Sequence, residues 1–140
     1  MKKNSQMKRI KLYAANGEHL LEFGFNNPSV EYKETLGWVV INASGRTITL
    51  GGTSMLAYDD EIAASTVVTD LLNIWKNNIN AAYQDNDKVL AIFSSDQVPV
   101  MTFHGKNIKF ISKYNDLITF SIDDKPVWVY NMNFMILSRN

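Results

Sequence analysis

Short apolar runs broken by turn residues dominate this chain, which is the pattern of antiparallel strands and hairpins. In the first half the runs fall at residues 10–13, 20–23, 30–33, 38–41, 47–50 and 54–58. Asn16-Gly17 separates the first two, and Asn-Gly is the strongest short hairpin signal because both residues tolerate positive φ. Ala43-Ser44-Gly45-Arg46 marks a second hairpin, and Gly51-Gly52 permits a bend before the sixth run. From residue 90 the pattern returns at 90–93, 100–103, 108–111, 117–120, 127–130 and 134–137. Asp123-Asp124-Lys125-Pro126 is the turn between the last two but one.

Between the two series the period changes. Val68, Leu71, Leu72, Trp75, Ile79 and Ala82 recur at spacings of three and four, with Asp70, Asn73, Lys76, Asn77 and Asn80 between them. That spacing predicts an amphipathic helix from about residue 60 to 83. Asp59-Asp60-Glu61 suits its N-terminus, where acidic side chains accept from free backbone donors and offset the dipole.

The two strand series resemble each other. Residues 10–25 align with 90–105 at an offset of 80, and residues 37–58 with 116–137 at an offset of 79. Only Phe23 and Phe103 are identical across these positions. The expected fold class is therefore α+β, mostly antiparallel β. It has two similar β-units of about five short strands, joined by one long amphipathic helix, with internal duplication left open. The expected organisation is a flexible basic N-terminus (1–8) and a single compact domain (9–140). That domain divides into a β-unit at 9–58, the helix at 59–86 and a β-unit at 87–140.

Composition narrows the function. Of 140 residues, 46% are hydrophobic and 20% charged, which argues for a folded globular chain and against disorder. Fourteen basic and fourteen acidic side chains cancel, so no global field draws the protein to nucleic acid or anionic lipid. The zero is a sum of unlike parts, because Lys2, Lys3, Lys8, Arg9 and Lys11 precede the first acid, Glu18. The absence of cysteine removes disulfides, thiolate nucleophiles and cysteine-ligated metals. No apolar run has the length of a membrane span or a signal peptide, so the expected location is the cytoplasm of a bacterial cell. Eleven lysines against three arginines, with fifteen asparagines and twelve isoleucines, is the usage of AT-rich codons. It suggests an AT-rich bacterial genome or one of its phages.

Catalytic signals are sparse. His19 and His104 both lie near strand ends, where a surface histidine is the default, and an uncharacterised enzyme using His104 is the third reading. No nucleophile elbow, Walker loop, Rossmann glycine spacing or metal-ligand spacing occurs, so no cofactor, metal or catalytic residue is assigned. Lys106, Lys109 and Lys113 alternate with Phe103, Phe110 and Tyr114, which makes a single-stranded nucleic-acid surface the alternative reading.

The final segment carries the leading expectation. From residue 127 to 137 most positions on both faces are apolar or amide, as in a strand that is central or lies at an interface. Trp128, Tyr130, Met132 and Phe134 are the expected partner-binding residues. The expected function is a non-catalytic protein-binding module with a protein partner, host or self, and a homo-oligomer is compatible with it. A phage or mobile-element inhibitor, or a virion tail or connector component, fits the codon usage.

Overall fold

A computed structural model describes residues 7–77 and 88–138. The chain order is β1 (Met7–Tyr13), β2 (His19–Asn26), β3 (Ser29–Lys33), β4 (Trp38–Ala43), β5 (Arg46–Leu50), β6 (Ser54–Asp59) and β7 (Ala63–Ser65). Helix α1 (Val68–Asn77) follows, then β8 (Lys88–Phe93), β9 (Pro99–Gly105), β10 (Ile108–Tyr114), β11 (Leu117–Ile122), β12 (Lys125–Tyr130) and β13 (Asn133–Leu137). Every pairing is antiparallel, and the strands form three sheets. Their orders are β10-β11-β12-β6-β1-β2, β13-β8-β9-β7 and β3-β4-β5.

This corrects the expected fold class. Among the described residues the molecule is nearly all antiparallel β, with no long amphipathic helix joining two units. The described helix has ten residues, and the rest of the predicted segment (78–86) lies outside the described residues. The acidic cluster does not start the helix, because its carboxylates are engaged elsewhere. Asp59 ends β6, forms a buried ion pair with Lys8 at 3.1 Å and accepts the Glu61 N–H at 2.8 Å. Asp60 takes Arg9 at 2.6 Å. Residues 63–65 then extend as β7 along β9. Met7 and Lys8, expected in the basic N-terminal segment, belong to β1, and residues 1–6 lie outside the described residues.

The predicted turns form where left-handed residues were available. Gly17 sits at φ +91° between β1 and β2, and Ser44 and Gly45 both have positive φ between β4 and β5. Asp123 and Asp124 do the same between β11 and β12. The Asp123 carboxylate also accepts the N–H groups of Lys106 and Asn107, which ties the β9–β10 turn to that hairpin.

Pairing registers recur along the chain. Ile10↔Phe23 on β1 and β2 becomes Leu90↔Phe103 on β8 and β9, each partner shifted by 80 residues. The bulge between Leu12 and Tyr13 reappears between Ile92 and Phe93. Leu12↔Met55 on β1 and β6 becomes Ile92↔Phe134 on β8 and β13. Val39↔Leu50 on β4 and β5 becomes Ile118↔Val129 on β11 and β12. The halves share a pairing scheme but are not separable bodies, because β6 pairs with β12 and β7 with β9.

Two apolar cores result. One gathers Ile10, Leu12, Val39, Ile41, Leu50, Met55 and Ala57 between β1–β6 and the β3-β4-β5 sheet. The other gathers Leu90, Ile92, Phe103, Phe120, Val127 and Val129 between β8–β9 and β11–β12. Strands β6 and β12 form the wall between them. Met55 and Ala57 enter the first core while Leu56 and Tyr58 enter the second, so all six residues of β6 are buried. A period of two along a strand buried on both faces produces this division.

Because one strand serves both cores, damage to either side of β6 should unfold the whole molecule. Met55→Ala and Leu56→Ala are each expected to cost roughly 2–5 kcal/mol. Urea denaturation should show a single transition for both, and a half-amplitude transition in either would show that the cores fold independently. Burial raises the Tyr13 pKa well above its ordinary 10.0. The folded state then holds that proton where the unfolded state releases it, so stability is full below about pH 10 and falls as pH rises further. Tyr13→Phe should flatten that alkaline decline, measured as urea midpoints from neutral pH to about pH 11.

Candidate protein-docking edge

The four residues expected at a partner surface lie in different environments. Tyr130 and Met132 are buried, one in each core. Trp128 is half-buried against the first core. Phe134 alone is exposed, at 43%. The apolar excess that the sequence shows over residues 127–132 therefore fills the wall between the cores, and the open surface begins at β13.

Along β13 the large side chains Phe134, Met135 and Ile136 are all exposed. The strand pairs with β8 on one side, and among the described residues its other edge is unpaired. Open edges are ordinarily protected by lysine, proline or a bulge. Asn133–Leu137 carries no charge, no proline and no register break. Phe134 stacks edge-to-face on Phe120 with centroids 4.9 Å apart, and Phe120 meets Phe110 in the same manner at 6.3 Å. These contacts hold the β13 backbone against the second core while its outer edge faces solvent. The four-residue apolar run at 134–137 was the available sequence signal.

Beside β13 lies a cleft of about 500 Å³ lined by Ser95, Lys113, Asn115, Asp116, Asn131 and Phe134. The corresponding place in the first half is filled. There the Tyr130 hydroxyl donates to the Gly37 carbonyl at 2.9 Å and accepts from the Gly52 N–H at 3.1 Å. Asn131 donates its side-chain amide to the Gly52 carbonyl, and its own carbonyl accepts from Ser54 Oγ. In the second half the equivalent backbone groups meet directly, with the Asn131 N–H on the Asp116 carbonyl at 2.9 Å.

The other expected sites are dispersed. Lys106, Lys109 and Lys113 are exposed, but a register break between Phe110 and Ser112 divides β10. Lys109 pairs with Ser121 and Lys113 with the inward-facing Ile118, so the two lysines project from opposite faces. At the N-terminus Lys8, Arg9 and Lys11 are engaged with Asp59, Asp60 and Glu22. These cations do not form one groove. His104 is half-buried in β9 between Ala63 and Val89. No group of three or more His, Asp or Glu side chains with metal-binding geometry occurs among the described residues. No described helix is long and apolar enough to cross a membrane.

Comparison of the chain with protein-family models, with curated proteins and with solved structures returns no match.

The Tyr130 bridge should be measurable. Tyr130→Phe keeps the buried ring but leaves the Gly52 N–H and Gly37 carbonyl without that hydroxyl, at an expected cost of about 1–3 kcal/mol. Equilibrium denaturation checks the loss, and hydrogen exchange should show faster exchange at the Gly52 amide.

Proposed function

We propose that this protein is a non-catalytic protein-binding module that takes an extended segment of a partner along the free edge of β13. The observation that carries this reading is the unprotected edge itself, with Phe134, Met135 and Ile136 exposed beside an open cleft. In such an arrangement the partner's backbone continues the hydrogen-bond ladder and supplies affinity. Alternate side chains reach the two faces and supply specificity. Met135 projects opposite to Phe134, so a docked strand would bury apolar area on both sides of the sheet.

Panning a random peptide library against the immobilised protein should enrich peptides with alternating apolar residues and no proline. Met135→Lys adds to the edge the charge that natural edges use for protection. It should weaken the selected peptides about tenfold or more, a difference of about 1.4 kcal/mol. Equal binding to the variant, or enrichment of no peptide at all, would remove the reading.

A further inference from the structure

Within one chain, β6 of the first half closes against β12 of the second. The strands that would repeat this junction do not pair with each other among the described residues: β5 ends its three-stranded sheet and β13 ends its four-stranded sheet. By register, β5 is the counterpart of β12 and β13 the counterpart of β6. The open strands are therefore the two sides of a junction that the chain already makes once internally. We infer that a second copy of this chain docks head to tail, with β13 of one copy pairing antiparallel with β5 of the next in the register that β6 uses with β12.

The register follows residue by residue. Val127↔Tyr58, Trp128↔Ala57 and Val129↔Leu56 in the internal junction become Ile48↔Leu137, Thr49↔Ile136 and Leu50↔Met135 between copies. Two further features fit this junction. Leu117 on β11 crosses the internal junction and is buried in the first core at 4% exposure. Its counterpart on β4 is Trp38, which is 42% exposed. The Trp38 indole lies over Gly51, where an added Cβ would come within 3.1 Å of Nε1. Gly51 is the counterpart of Tyr130, so Trp38 occupies the outer position that Tyr130 fills at the internal junction.

The receiving side matches. At the internal junction the Tyr130 hydroxyl bridges the backbone of Gly37 and Gly52. The corresponding place on the second half is the cleft of about 500 Å³ lined by Asp116, Asn131 and Phe134. There the Asn131 N–H already bonds the Asp116 carbonyl, so no hydroxyl is needed to satisfy them. An incoming strand end with glycine at position 51 and an apolar indole beside it meets both conditions. A contact that uses different patches on the two copies is heterologous and propagates into a ring or an open fibre.

This inference rests on the reading of β13 as a docking edge and names its occupant. The test is light scattering and sedimentation of wild-type protein and two variants, Met135→Lys on the β13 edge and Trp38→Lys on the β5 side. Both positions are exposed, and unchanged thermal midpoints would show that folding is intact; Thr49→Lys replaces Trp38→Lys if that variant unfolds. Wild type should associate with increasing concentration, and each variant alone should associate at least tenfold more weakly. An equimolar mixture of the two should recover a dimer that grows no further, because one intact edge remains on each molecule. Association of Trp38→Lys and Thr49→Lys at wild-type strength would overturn the head-to-tail register. A wild type that stays monomeric at millimolar concentration would overturn the second copy as occupant, and peptide capture that is still lost in Met135→Lys would leave the docking edge standing.

Discussion

The antiparallel pairing of β6 with β12 is the constraint on which the rest of the structure depends. It joins residues far apart in the chain, such as Met55 and Tyr130, and so carries the loop-closure cost of a non-local contact. In return it gives both strands two buried faces. Met55 and Ala57 complete one core and Leu56 and Tyr58 the other, while Trp128 and Tyr130 face the first core and Val127 and Val129 the second. Without this wall each half would be an open sheet pair with an apolar flank. The buried Lys8–Asp59 pair and the Tyr130 hydroxyl bridge fasten its two ends.

The pairing also makes the molecule asymmetric. Both halves use one register scheme, yet only one of its two lateral junctions is satisfied inside the chain. The unsatisfied strands keep the shape of the satisfied ones, including alternate residues directed inward and outward. On β13 the outward set includes Met135 in the place of the buried Leu56. An edge of this kind without lysine, proline or a bulge favours pairing with another strand. The basic residues of β10 have no comparable coherence, because its register break turns Lys109 and Lys113 apart.

Much of the strand layout was legible in the sequence. Period-two runs located twelve of the strands within a few residues, and Asn16-Gly17, Ser44-Gly45 and Asp123-Asp124 marked their turns through residues that accept positive φ. The helix was legible only in part. Its spacing was present over Val68–Asn77, but Asp59 and Asp60 look like capping residues until the partners Lys8 and Arg9 are known. Those partners lie about fifty residues upstream, beyond the reach of a local capping rule. The short β7 was missed because Ala63-Ala64-Ser65 carries no strand signal of its own and extends only along β9.

The docking edge divides in the same way. Local pattern identified residues 127–137 as too apolar for a strand with one buried face, and by itself it determined that two faces there avoid water. Which part of the segment is wall and which is surface depends on what pairs with each strand. Tyr130 and Met132 are buried because β6 lies alongside β12, and Phe134 is exposed on a strand that, among the described residues, pairs on one side only, with β8. Periodicity is a property of neighbouring residues, and it fixes strands, turns and facing. Burial is decided by contacts between residues remote in sequence, and only the tertiary structure supplies those.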